Sequence, residues 1–70
     1  MTKFEFTVID LYNQSRKVTV IEAESVELAF IQFIGEDDMD ASEVADCGLK
    51  NDDYGWIVEG EESLIFINKK

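Results

Sequence analysis

The sequence predicts a small α+β fold of order ββα(α)ββ, in which an antiparallel sheet packs on one main helix. Three observations predict it. Apolar and polar residues alternate near the start of the chain, as in a half-buried strand. An apolar run between a serine and a glycine is typical of a capped helix, and two short β-branched runs close the chain. With 70 residues, we expect one domain that spans positions 1–70.

The first two strands are expected to form a hairpin. Over residues 3–11 the pattern alternates, with Phe4, Phe6 and Val8 on one face of a strand. Residues 12–16 are polar and include Asn13, which tolerates left-handed backbone, so this stretch is predicted to turn the chain. A second strand is then predicted from Lys17 to about Glu22.

The main helix is predicted over residues 26–34. Ser25 is a favourable N-cap, and Gly35 is the residue type best suited to the left-handed C-terminal position. Positions 26, 29, 30 and 33 form one core-facing stripe. Ile31 and Ile34 lie partly off this stripe, so we expect them to need cover from later chain or from another molecule.

A second, short helix is predicted from Ala41 to about Asp46. Asp40 followed by Glu43 resembles a capping box, in which two side chains satisfy backbone amides of the first turn. Gly48 is expected to end this helix.

The remaining chain is predicted to add two strands. Residues 50–55 have the composition of a turn, and strand three is expected over residues 56–58. A polar connection over 59–62 leads to strand four over 64–67, which is β-branched and aromatic. The tail over residues 68–70 is expected to fray.

The acidic composition limits the possible partners. Sixteen Asp and Glu against six Lys and Arg give a formal charge of -10 and a pI near 4.1. This charge excludes nucleic-acid binding through a basic patch and favours a cationic partner. Residues 18–49 contain nine acids and neither Lys nor Arg. Such acids can simply keep a protein soluble, or they can stand in for phosphates in the groove of a nucleic-acid-binding protein.

The candidate partner-binding residues are acids from the middle of the chain and two aromatic residues. Tyr54 and Trp56 flank Gly55 beside an acidic turn, a combination used at interfaces and also found in small cores. The full set is Glu24, Glu27, Glu36, Asp37, Asp38, Asp40, Glu43, Asp46, Asp52, Asp53, Tyr54 and Trp56.

The sequence offers little for catalysis, and we expect no catalytic residue, cofactor or dedicated metal site. Histidine is absent, and the acids from Glu36 onward do not keep the spacing of an EF-hand loop. Cys47 lacks a histidine or a second cysteine, so it is interpreted as a small semi-buried residue. No apolar run approaches the roughly 20 residues of a membrane span, and residues 1–7 do not resemble a secretion signal, so a cytoplasmic protein is predicted.

The chain resembles the small acidic proteins by which bacteriophages inhibit host defence, including anti-CRISPR proteins and other DNA mimics. The run Glu36–Asp40 carries the resemblance, with the acids that follow it in the same region, Glu43, Asp46, Asp52 and Asp53. The resemblance implies a non-enzymatic inhibitor that binds the nucleic-acid groove of a host defence complex in the host cytoplasm. The alternative is a small acidic interaction or structural module, as a monomer or a homodimer, that mimics no nucleic acid. Residues 18–25 followed by Ala29 also look like the strand-to-helix junction of small ββα domains.

Overall fold

The structure is a computed structural model that describes residues 1–35, 39–40, 42, 44, 48–53 and 55–70. The described elements follow the order β1, β2, α1, β3, β4 and β5. The five strands form one antiparallel sheet in the spatial order β2-β1-β5-β4-β3.

The first two strands form the predicted hairpin; the first is shifted by one residue from its predicted range, and the second is longer than predicted. β1 spans Thr2–Asp10 and β2 spans Ser15–Ala23, paired in register from Thr2 opposite Ala23 to Asp10 opposite Ser15. The turn between them places Gln14, and not Asn13, in the left-handed region with φ 56°. The pairing extends to Ser15 and Arg16 next to a tight turn, which the Asp10 carboxylate holds by accepting from Tyr12 N and Asn13 N.

The main helix confirms its predicted limits. α1 spans Val26–Ile34, the Ser25 hydroxyl accepts a hydrogen bond from Leu28 N at 3.2 Å, and Gly35 ends the helix with φ 77°. Of the predicted stripe, Val26, Ala29 and Phe30 are buried and Phe33 is half-buried. Ile31 is only 6% exposed, so the folded chain gives it the cover it was expected to need, whereas Ile34 is 38% exposed. The apolar stripe is therefore wider than the sequence pattern indicated.

The C-terminal half contains three strands where two were predicted. β3 spans Lys50–Asp52, β4 spans Gly55–Glu59 and β5 spans Ser63–Lys69. The turn predicted over residues 50–55 is in large part the strand β3, which is polar throughout and so shows no alternation. The tail predicted to fray is also held in place, since β5 continues to Lys69 and Lys70 N donates to Lys3 O at 2.8 Å.

The predicted α+β class, ββα(α)ββ, is thus wrong, because the described residues contain more strand than it implies. Strands make up more than half of the described residues, and the sheet has five strands against one nine-residue helix. Of the predicted second helix, Ser42 and Val44 have helical backbone, and Val44 N donates to Asp40 O at 3.1 Å. The other positions of that helix lie outside the described residues. The fold is a mainly β structure with a helix on one face.

The core lies between α1 and one face of the sheet. Phe4, Phe6 and Ile67 from neighbouring strands are almost fully buried against Ala29 and Phe30 of the helix. The Phe6 ring stacks on Phe33 with 4.7 Å between centroids, and the Phe4 ring meets Trp56 edge to face at 5.9 Å. Aromatic pairs in these geometries add to the stability gained from burial alone.

The opposite side of the sheet, here called the open face, is covered by none of the described helix and strand residues. Side chains alternate along each strand, so this face carries the residues that lie between the core positions. One row across the sheet follows from the register: Val18, Thr7, Phe66, Ile57 and Lys50. The hydroxyl-bearing Thr7 is only 8% exposed because it lies between Val18 and Phe66 in this row.

Candidate partner-binding site

The fold gathers several of the predicted acids at one end of the sheet. β2 finishes at Ala23, opposite Thr2, and the chain then places Glu24 and Glu27 around the start of the helix. The hairpin of β3 and β4 turns at the same end, where Asp52 pairs with Gly55 and Asp53 follows. We call this group, Glu24, Glu27, Asp52, Asp53 and Trp56, the acidic end. It reaches from one outer strand to the other, a width of roughly 19 Å for five strands.

Two of these acids and Trp56 line one open depression of about 290 Å³ at the start of the helix. Phe4 forms part of its floor and Lys69 part of its wall. Carboxylates beside an indole ring suit a cationic side chain, since the carboxylates accept charged hydrogen bonds and the ring face attracts a guanidinium or ammonium group. Trp56 therefore contributes to the core through Phe4 and to this depression through its remaining exposed surface.

The helix start favours negative charge at the two glutamates. Glu27 lies in the first turn of α1, and Glu24 directly precedes the cap residue Ser25. Free backbone amides at a helix N-terminus carry partial positive charge, which stabilises carboxylates nearby. The local structure thus offsets part of the cost of placing two acids close together.

The ion pairs of the described residues lie on the open face and involve none of the acids of the acidic end. Lys3 Nζ lies 3.8 Å from Glu22 Oε1, and Lys70 Nζ lies 3.8 Å from Glu5 Oε2. The first pair is well exposed, so it contributes little to stability. Neither pair involves Glu24, Glu27 or Asp53.

The remaining predicted residues divide into two groups. Asp40 is exposed, and its carboxylate accepts a hydrogen bond from Ser42 Oγ at 2.7 Å. Six others lie outside the described residues: Glu36, Asp37, Asp38, Glu43, Asp46 and Tyr54. Cys47 also lies outside them.

Sequence reasoning overlooked Asp10, which organises the hairpin turn. Its carboxylate accepts hydrogen bonds from Tyr12 N at 2.9 Å, Asn13 N at 3.2 Å and Asn13 Nδ2 at 3.2 Å. The backbone amides of Asn13 and Tyr12 stabilise the charged form and so hold the pKa of Asp10 below its ordinary value of 3.8. An acid at the end of a strand, followed by a polar turn, is a signal that could have found it.

Sequence reasoning also missed the open face. Val18 and Val20 are 49% and 42% exposed, because they alternate with residues on the core side of β2 and so lie on the open face. The apolar character of alternate positions on both sides of β2 was the available signal, because a strand with one solvated face normally carries polar residues there.

Comparison with known proteins identifies no relative. No protein-family model, curated protein or solved structure matches this chain. In the part of the chain that the structure describes, no helix has the length and apolar character needed to cross a membrane. Among the same described residues, no three Cys, Asp or Glu side chains come together as metal ligands.

Proposed function

We propose that the protein is a non-enzymatic inhibitor that occupies the nucleic-acid groove of a basic protein, with a host defence complex as its target. The observation that carries the proposal is the acidic end, where Glu24 and Glu27 line one depression with the half-buried Trp56, which is distant from them in the sequence. Grooves that bind nucleic acid present Arg and Lys as forks for anionic oxygens, and carboxylates offer the same acceptor chemistry. The resemblance to phage-encoded inhibitors supplies the class of target.

The charge of the whole molecule supports the same function. A net charge of -10 on 70 residues creates a long-range field that speeds encounter with a basic surface and repels nucleic acid. Binding of this kind weakens as salt screens the opposed charges. An interaction module whose acids only maintain solubility would bind its partner through apolar surface, with little response to salt.

A capture experiment tests the proposal. The tagged protein is incubated with bacterial lysate at about 50 mM and about 500 mM NaCl, concentrations that shorten the screening length several-fold. We expect nucleic-acid-binding proteins at low salt, and we expect added DNA or RNA to displace them. Recovery of no nucleic-acid-binding protein, or recovery that ignores both salt and competitor, would contradict the proposal.

A matched pair of variants locates the surface. Glu24→Gln, Glu27→Gln and Asp53→Asn together remove three charges at the acidic end. Glu59→Gln, Glu61→Gln and Glu62→Gln remove three from the exposed end of β4 and the loop that follows it. Each exposed contact is worth at most about 1 kcal/mol, so the first variant should weaken binding on the order of tenfold or more and the second much less. Equal losses would show that only net charge matters.

A further inference from the structure

The open face combines an apolar centre with a rim of balanced charge. Six apolar side chains from four strands form the centre: Ile9, Val18, Val20, Ile57, Leu64 and Phe66. Four basic and four acidic residues surround or interrupt it: Lys3, Arg16, Lys50, Lys70, Glu5, Glu22, Asp52 and Glu59. The face therefore has no net charge.

This neutrality is unusual for the molecule. Twelve of the sixteen acids and only two of the six basic residues lie elsewhere in the chain, so those other positions carry the whole net charge of -10. Two copies of such a protein repel each other in most orientations. The open face carries no net charge of its own, so approach through it meets less repulsion than approach through the acidic surfaces, and its apolar centre gains free energy when water is removed.

The charges on the two outer strands follow the same order. On β2, Glu22 lies toward the acidic end and Arg16 toward the opposite end of the sheet. On β3, Asp52 lies toward the acidic end and Lys50 toward the opposite end. When two sheets stack open face to open face, a two-fold axis can lie midway between them, parallel to the sheets and perpendicular to the strands. Rotation about this axis reverses the strand direction and leaves each strand facing the same strand of the second copy. It places Glu22 on Arg16 of the second copy and Asp52 on Lys50 of the second copy.

We propose that the open face is a homodimer interface in which two copies pack face to face about this axis. The same operation sets Val18 on Val20 of the second copy, Phe66 on Asn68, and Ile9 and Leu64 against the aliphatic stems of Lys3 and Lys70. A two-fold axis parallel to the strands also brings Phe66 onto Phe66, but it is less favourable because it sets Lys70 on Lys70 and separates the acids and bases of the outer strands, placing Val20 on Asp52 and Val18 on Lys50. Each contact occurs twice in the dimer, as a closed two-fold interface requires.

The size of the face indicates a reversible dimer. Five strands and four rows of side chains cover about 24 Å by about 20 Å, or on the order of 500 Å² of projected area per copy. Standard stable interfaces bury about 800 Å² on each partner, so we expect a dimer that dissociates on dilution. In this arrangement the two acidic ends lie at opposite ends of the dimer, and Glu24, Glu27 and Asp53 remain accessible. Asp52 belongs to both surfaces and would be covered in the dimer, but the dimer proposal does not rest on the proposed function.

Sedimentation velocity over a range of protein concentrations tests the dimer. Four single substitutions each place two pairs of like charges in contact across the dimer interface: Arg16→Glu, Glu22→Arg, Lys50→Asp and Asp52→Lys. Each should raise the dimer dissociation constant about tenfold or more. Mixing R16E with E22R should restore dimers, because every contact in the mixed dimer is again acid on base. Mixing K50D with D52K should do the same.

The two mixtures together distinguish face-to-face packing from pairing of strand edges. Association through the β2 edge would allow rescue only at Arg16 and Glu22, and association through the β3 edge only at Lys50 and Asp52. Rescue in both mixtures supports the proposal, and rescue in one or neither overturns it. A wild-type protein that stays monomeric at about 1 mM, far above the dissociation constants of most specific interfaces, also overturns it.

A matched apolar pair completes the test. Val20→Lys places a charge in the centre of the open face, whereas Leu28→Lys makes the same kind of change at a 44% exposed position on the helix, on the other side of the sheet. Circular dichroism checks that both variants remain folded. Loss of dimer in V20K alone is expected, and loss in L28K alone would assign the interface to the helix.

Discussion

Single residues hold the turns of this sheet through specific hydrogen bonds and close contacts. Asp10 fixes the first hairpin by accepting from two backbone amides of its own turn. Gly55 begins β4 with φ 151°, and a Cβ at this position would overlap the carbonyl oxygen of Ile67 on the neighbouring strand. Both residues lie where a strand starts or ends. At such positions the identity of a single residue decides whether the backbone can adopt the required conformation.

Asp10→Asn should lower the melting temperature at neutral pH, because it removes the charge that the Asn13 and Tyr12 amides stabilise. The folded-state pKa of Asp10 lies below its unfolded value, so its contribution is present above about pH 3.8 and disappears as pH falls through the folded-state pKa. The wild-type and D10N melting temperatures should therefore converge in acid. Thermal unfolding between pH 7 and pH 2.5 measures this, with E61Q as a control for charge. A difference that persists at the lowest pH would contradict the prediction.

Gly55→Ala should destabilise the fold by about 2 kcal/mol or more, since β4 or β5 must shift to relieve the overlap. Gly35→Ala is the matched control. Gly35 also has positive φ, but a Cβ there meets nothing within 4 Å, so the cost should be only about 1 kcal/mol of backbone strain. Urea unfolding of the two variants compares these costs, and an equal loss would show that the contact with Ile67 is easily relieved.

At the scale of elements, the helix and the sheet bury different fractions of their apolar residues. α1 buries Val26, Ala29, Phe30 and Ile31 against one face of the sheet. The helix is only nine residues long and would not be stable alone, so its stability comes from this packing. Only one face of the sheet packs against the helix, and the other face is the proposed dimer interface.

Ile31→Ser and Ile34→Ser separate the two isoleucines of the helix. Ile31 is 6% exposed, so truncation to a polar side chain in the core should cost about 3 kcal/mol. Ile34 is 38% exposed, and its replacement should cost less than about 1 kcal/mol. Chemical denaturation of both variants gives the two values. Similar losses would mean that Ile34 is also covered, as it would be if the helix formed an interface.

At the scale of the whole molecule, the excess of acids sets the response to the solvent. A charge of -10 on 70 residues repels itself in the compact state more than in the expanded chain. The two ion pairs of the described residues lie on the open face, so they do little to relieve repulsion among the other acids. Stability should therefore depend on ionic strength more than in a protein of balanced charge.

The melting temperature should rise as NaCl increases from about 20 mM to about 500 mM at pH 7, because screening weakens like-charge repulsion. Sodium sulfate is not a suitable replacement, since it strengthens apolar burial as well. The measurement is made at a protein concentration below the onset of dimerisation. A melting temperature that ignores NaCl would show that the acids are dispersed or paired within the folded chain.

The sequence by itself determined the local features of this protein. The hairpin of β1 and β2, the limits of α1 and its two caps, and the acidic character all follow from residues close together in the chain. Alternation, a serine cap and a C-terminal glycine act over a few residues, so they can be read without knowing the fold.

Only the tertiary structure decided the sheet order, the strand β3, the burial of Ile31 and the grouping of Glu24 with Trp56. β5 lies between β1 and β4, which pairs Phe4 with Lys69 across almost the whole chain. β3 has a polar sequence and forms because β4 offers it a partner. Pairings of this kind depend on the complementarity of distant segments, and no local pattern encodes them. The open face and the acidic end both follow from that long-range pairing.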